Sequence, residues 1–151
     1  MGHPGSSREF SGAQPADLRV GDTHTTGPMS VEGVASGTVD GVIAEFEVSA
    51  PVRVTCSRCL TEWDDVVEAS GTQHFSRVPD EDGYAIVDRR IDVSGPATDE
   101  LAFAIPAAPL CREGCMGLCP ICGNDLNSEP CDGHGEESDS PFAALEDLFD
   151  T

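Results

Sequence analysis

Five of the seven cysteines fall within 21 residues, at Cys111, Cys115, Cys119, Cys122 and Cys131, and His134 follows shortly after. The other two, Cys56 and Cys59, form a Cys-Ser-Arg-Cys pair well upstream. Thiolates and imidazole at such spacings are the ligands a tetrahedral zinc ion takes. In Cys119-Pro120-Ile121-Cys122-Gly123, two intervening residues let both sulfurs reach one ion. The glycine then permits a tight turn whose N–H groups can point at sulfur. With Cys131 and His134 the spacing is C-x2-C-x8-C-x2-H, a complete ligand set within 16 residues. A closed set leaves no position for substrate, so it predicts a structural ion and no catalytic one. Cys56 and Cys59 are completed most naturally by Cys111 and Cys115, with Arg58 and Arg112 to offset the charge of four thiolates. This partition leaves no cysteine over and predicts two structural Zn2+ ions. Two other groupings fit the spacing: one ribbon-like site of Cys56, Cys59, Cys119 and Cys122, or one local site of Cys115, Cys119, Cys122 and Cys131. A redox pair at Cys119–Cys122 and an iron–sulfur cluster are further uses of the same thiols.

No other constellation suggests chemistry. His3 and His24 lie in polar sequence and are expected at the surface, and His74 on the face of a strand. Asp64-Asp65 and Asp80-Glu81-Asp82 read as turn and surface carboxylates, having no nearby base or apolar pocket signal. The chain has no phosphate-cradling glycine loop, no G-x-S-x-G and no H-E-x-x-H.

The ligands need a frame. Residues 1–30 are rich in Gly, Ser, Pro and Thr and predict an irregular arm, with Arg8–Phe10 and Leu18–Val20 as short edge strands. Val31 to Val39 predicts a strand, and Asp40-Gly41 a hairpin turn. From Val42, residues Val42, Ala44, Phe46 and Val48 alternate with Glu45, Glu47 and Ser49, the period of a half-buried strand. Pro51 punctuates, and Val52 and Val54 continue as a second strand into Cys56. Trp63 to Phe75 supplies one or two more strands, with both aromatics expected under the first cysteine pair. Residues 78–83 read as a loop, and Tyr84–Val87 and Ile91–Val93 as short extended pieces. Ser94-Gly95-Pro96 predicts a helix start with Ser94 as cap. Leu101, Ala104 and Ile105 would face the sheet, and Pro106 and Pro109 would end the helix and steer the chain to Cys111. Residues 111–135 form the cysteine-rich segment. Residues 136–151 predict an acidic linker and a terminal helix with Phe142, Leu145 and Leu148/Phe149 on one stripe. The fold class is α+β: an antiparallel sheet with one packed helix over 31–110, a zinc-stapled C-terminal segment and a short terminal helix, integrated into one domain.

Bulk properties narrow the function. The chain has 151 residues, 38% hydrophobic content, 16 glycines and 11 prolines, a polar composition that metal staples would help to fold. Its net charge is −20 and its eight basic residues are all arginine. Affinity for nucleic acid comes largely from neutralising phosphates with basic side chains, so direct binding of naked nucleic acid is disfavoured and a basic protein partner is favoured. No apolar run has the length of a membrane span, and the N-terminal ten residues have no apolar core of a signal peptide. A cytoplasmic location is the default. There thiols stay reduced, which favours metal over disulfides.

Taken in order, P-G-S-S-R-E near the start, P-A-D-L at Pro15–Leu18 and C-S-R-C-L at Cys56–Leu60 are shared with a known family. So are Ile91-Asp92-Val93 before a helix, P-L-C-R-E-G-C-M-G-L-C-P-I-C-G-N-D-L-N over Pro109–Asn127, and the late S-P-F-A-A-L. The sequence resembles the YceD family of large ribosomal RNA subunit accumulation proteins in an actinobacterial-like form. The resemblance implies a non-enzymatic factor in large-subunit biogenesis, acting with the pre-ribosomal large subunit or a basic ribosomal protein. The residues alone also fit a zinc-ribbon adaptor of transcription or another RNA machine, or a thiol redox or zinc-sensing protein.

Overall fold

Every second residue from Ala44 to Cys56 is buried: Ala44, Phe46, Val48, Ala50, Val52, Val54 and then Cys56 itself. This period-two run is the spine of the fold in the computed structural model, which describes residues 5–79, 81, 83–131 and 133–134. His3, Asp80, Asp82, the linker over 136–140 and the terminal helix expected beyond it lie outside the described residues.

The elements are β1 (Ser7–Gln14), β2 (Arg19–Val20), β3 (Thr23–Thr25), β4 (Met29–Gly37), β5 (Gly41–Thr55), β6 (Glu62–Ser76), β7 (Tyr84–Ala85) and α1 (Ser94–Ala104). All strand pairs are antiparallel except β6 with β7. One side of β5 pairs along its whole length with β6. The other side pairs first with β4, which carries β1 at its outer edge, and then with β3, which carries β2. The helix packs over the buried face, with Ala97, Leu101 and Ile105 inside. Among the described residues the result is mostly antiparallel sheet with one helix.

Several local expectations change. Over 1–30, residues 7–14, 19–20 and 23–25 are strands bonded into the sheet, and β4 begins at Met29, so much of this stretch is regular. Backbone pairing to β4 overrides a composition rich in turn formers. Pro51 does not divide β5. Its carbonyl accepts the N–H of Thr26 (2.9 Å) on the β3/β4 side. The missing N–H therefore falls where β4 has ended and β3 pairs only from Val52, so no ladder bond is lost. Trp63 to Phe75 is one strand. Phe75 is buried, but at the far end of β6 from the cysteine pair, against Tyr84 with ring centroids 5.7 Å apart. Only half-buried Trp63, opposite Val54, lies near that pair. The extended piece expected at Tyr84–Val87 contains β7, but Ile91–Val93 is not a strand. Ser94 is the first helical residue and not the cap: Asp92 Oδ1 accepts its N–H (2.9 Å). Ala104 is exposed, and Ala97 completes the buried stripe in its place. His24 is half-buried in β3, not at the surface.

Candidate metal centres

Two Cys-x-x-Cys turns share one backbone pattern. In the first, the N–H of Leu60 donates to the Cys56 carbonyl (3.0 Å), and the N–H of Cys56 to the Thr61 carbonyl (2.9 Å). In the second, Gly123 donates to Cys119 (2.9 Å), and Cys119 to Asn124 (2.8 Å). The residue after the second cysteine has positive φ in both, 60° at Leu60 and 76° at Gly123. Glycine takes that conformation freely, while leucine does so at a steric cost. The likeness of the two turns was visible in the cysteine spacing; the left-handed conformation of Leu60 was not, because its side chain gives no sign of it.

The period-two face of β5 carries Cys56 into the interior, and the turn into β6 presents Cys59 beside it. The chain leaving α1 returns to this end of the sheet, where the Pro109 carbonyl accepts the N–H of Ser57 (2.8 Å). Cys59 Sγ then lies 3.5 Å from Cys111 Sγ, and Cys56 Sγ lies 3.8 Å from Cys115 Sγ. In the second group Cys122 Sγ is 3.8 Å from Cys131 Sγ, and Cys131 Sγ is 3.1 Å from His134 Nε2. Cys56, Cys59, Cys111 and Cys115 form one set, and Cys119, Cys122, Cys131 and His134 another, with the ligand atoms of each set within 4.8 Å of one another. The mixed groupings of Cys56, Cys59, Cys119 and Cys122, or of Cys115 with Cys119, Cys122 and Cys131, are not the ones the structure brings together.

These distances test what the sulfurs can do. A tetrahedral ion with bonds of about 2.3 Å to sulfur needs ligand separations of about 3.8 Å, whereas a disulfide needs about 2.05 Å. The observed sulfur pairs at 3.5–3.8 Å match the ion. Both groups can hold a thiophilic metal, and four protein ligands fill a tetrahedral shell. Neither Cys-x-x-Cys stands as an isolated redox pair, since two further ligands converge on each.

Electrostatics agree with that use. The backbone N–H of Cys59, aided by those of Cys111 and Arg58, draws the Cys56 thiol down to about 6. The N–H groups of Cys122 and Ile121 do the same for Cys119, also to about 6. Thr61 lowers Cys59. Cys111, facing the Cys59 sulfur, is pushed up to about 12. One thiol in each Cys-x-x-Cys turn is thus held ready as thiolate. Arg58 donates Nη1 to the Cys115 carbonyl (2.9 Å), so a guanidinium does sit against the first group.

The groups differ in depth. Cys56 and Cys115 are 0% and 1% exposed, while in the second group only Cys119 is buried and Cys122 and His134 are exposed. They are called the inner and outer centres below. The inner centre ties together parts of the chain 59 residues apart; the outer is local. Asn127 also belongs to the site, through a bond to Cys115 Sγ, and sequence reasoning missed it. The only signal was an Asp-x-Asn turn pattern at Asp125–Asn127. His74 lies on the exposed sheet face, 3.7 Å from Asp40. Asp64 bonds Arg53 at the surface (2.7 Å).

Away from the cysteines, a groove of about 920 Å³ crosses the middle of the sheet. Its lining includes Glu9, Glu32, Glu45, Glu47 and Glu100 and, among the described residues, no basic one. Glu32 and Glu47 are directly opposed across β4 and β5. Among the described residues no helix is long and apolar enough to cross a membrane.

Comparison with known proteins adds the lineage. The profile of the family described as "Large ribosomal RNA subunit accumulation protein YceD" matches residues 44–149. An uncharacterized protein of Mycobacterium tuberculosis is 36% identical over 129 residues, covering 80% of this chain and 60% of that protein. One from Mycobacterium leprae is 31% identical over 131 residues, covering 81% and 59%. YlbN of Bacillus subtilis is 26% identical over 134 residues, covering 85% and 78%. The chain therefore spans about 60% of the length of the mycobacterial relatives it matches. No solved structure matches.

Proposed function

Because the chain belongs to the YceD family, we propose that it is a non-enzymatic factor supporting accumulation of large-subunit ribosomal RNA, built on two structural zinc ions. The family match over residues 44–149 carries this reading. Zinc is the metal proposed because seven thiolates and one imidazole, in two closed four-ligand sets, suit a soft tetrahedral ion with no redox task. The centres staple the segment after α1 to the end of the sheet. They do no chemistry on a substrate.

The partner proposed is a basic ribosomal protein or the pre-ribosomal large subunit carrying it, met in the cytoplasm. The glutamate-lined groove supports this, since a cationic surface would relieve the repulsion between Glu32 and Glu47. Depleting the protein in its own host should lower large-subunit relative to small-subunit ribosomal RNA. An unchanged ratio on full depletion would remove the functional reading. Elemental analysis of protein purified without chelator should find two zinc ions per chain.

A further inference from the structure

The loop between Cys122 and Cys131 belongs to the outer centre by sequence, yet one of its side chains reaches the inner one. Asn127 Oδ1 accepts Nη2 of Arg112 (2.7 Å) and the backbone N–H of Met116 (2.8 Å). Its Nδ2 donates to Asp125 Oδ1 (2.6 Å) and to Cys115 Sγ (3.6 Å). A carboxamide has two donor hydrogens and one oxygen with two lone pairs. All of these are used, and the two donors facing Oδ1 fix which end of the amide carries nitrogen. Asp125 is held in turn by the N–H of Asn127 (2.9 Å) and the hydroxyl of Ser128 (3.0 Å). Backbone bonds complete the seam between the centres: Leu118 N–H to the Arg58 carbonyl (3.1 Å) and Leu126 N–H to the Gly117 carbonyl (3.0 Å).

We propose that Asn127 is a positioning residue for the inner centre and couples it to the outer one. This rests on the reading that both groups bind metal. An ion on Cys119, Cys122, Cys131 and His134 closes the loop that carries Asn127. The closed loop keeps Nδ2–H on Cys115 Sγ. That bond fixes the position of Cys115 Sγ toward its ligand partners and makes it harder to displace, so the inner ion leaves slowly. Partners of this kind, one step behind the ligands, are worth about 10–100-fold in metal affinity. The exposed outer centre therefore releases its ion first, and only then does the inner centre loosen.

The test loads the reduced full chain with Co2+, whose absorption bands distinguish four-sulfur from three-sulfur, one-nitrogen coordination, and follows release into excess chelator. The wild type should bind two Co2+ and lose them in two phases, outer then inner. His134→Ala should cost the outer ion and speed the inner phase by about 10–100-fold. Asn127→Ala and Asn127→Asp should both retain two ions and leave the outer phase unchanged while speeding the inner phase. The aspartate keeps an acceptor for Arg112 and Met116 but loses both Nδ2 donations, to Cys115 Sγ and to Asp125 Oδ1, and adds a charge beside them; the alanine, which adds no charge, reads the loss of the amide itself. Inner-phase rates within about twofold of wild type in both Asn127 variants, or in His134→Ala, would overturn the coupling. Fewer than two Co2+ on the wild type would instead overturn the two-centre reading itself.

Discussion

Leu60 and Gly123 occupy equivalent places in two turns, and the contrast shows what a Cys-x-x-Cys turn of this shape asks of its residues. Each needs a left-handed residue so that N–H groups converge on the first sulfur, and those groups lower Cys56 and Cys119 from an ordinary value of 9.0 to about 6. A thiol whose pKa falls on folding stabilises the fold fully above its unfolded value, and that contribution is lost as pH drops through the folded value. The reduced, metal-free chain should therefore gain stability between about pH 6 and pH 9, as read by urea unfolding. Thiolate absorbance should rise near pH 6 before the remaining cysteines titrate. Cys111, raised to about 12, opposes this only above that window. A flat stability profile from pH 6 to 9 would mean the backbone donors do not hold these thiolates.

Across the sheet, Phe10, Gly33, Phe46 and Gly71 form one row over β1, β4, β5 and β6. Each phenylalanine tip covers a neighbouring glycine: a Cβ on Gly71 would come within 2.7 Å of Phe46 and 2.9 Å of Glu100 on α1. Alternating rings and gaps let the helix come close while keeping the strands in register. Gly71→Ala should destabilise the protein by about 1–3 kcal/mol through overpacking. Leu101→Ala, which empties a fully buried site, should cost about 2–5 kcal/mol. Chemical denaturation of the metal-loaded protein measures both. Neither change should alter the metal count, because the row and the helix stripe lie on the sheet and not at the ligands.

The whole molecule carries a net charge of −20, and one sheet face concentrates it. Glu9, Glu32, Glu45, Glu47 and Glu68 are all exposed. If this face meets the basic partner proposed above, reversing Glu32 and Glu47 to arginine should weaken co-sedimentation with large-subunit particles by about tenfold. Unfolding should be essentially unchanged, since the two arginines still oppose each other as like charges but lie among Glu9, Glu45 and Glu68 on the same face. Unchanged co-sedimentation would place the partner elsewhere. Binding by the wild type should also weaken as salt rises, because exposed charges are screened.

Which side chains could share an ion was legible in the sequence because chemistry limits the choice: only soft side chains at short spacings can do so, and the residues of the outer group are local. The core strand was legible for a similar reason, since alternation from Ala44 to Val54 survives whatever pairs beside it. Pairing was not. That Pro51 passes through β5, that Ser7–Gln14 is a strand and that Phe75 lies far from the cysteines all depend on which backbone runs alongside. Which cysteines meet across the separation of 59 positions from Cys56 to Cys115 was likewise decided by α1 returning the chain to the end of the sheet. Asn127 became part of the site only there, because a polar residue in a turn acquires its role from the sulfur that folding places against it.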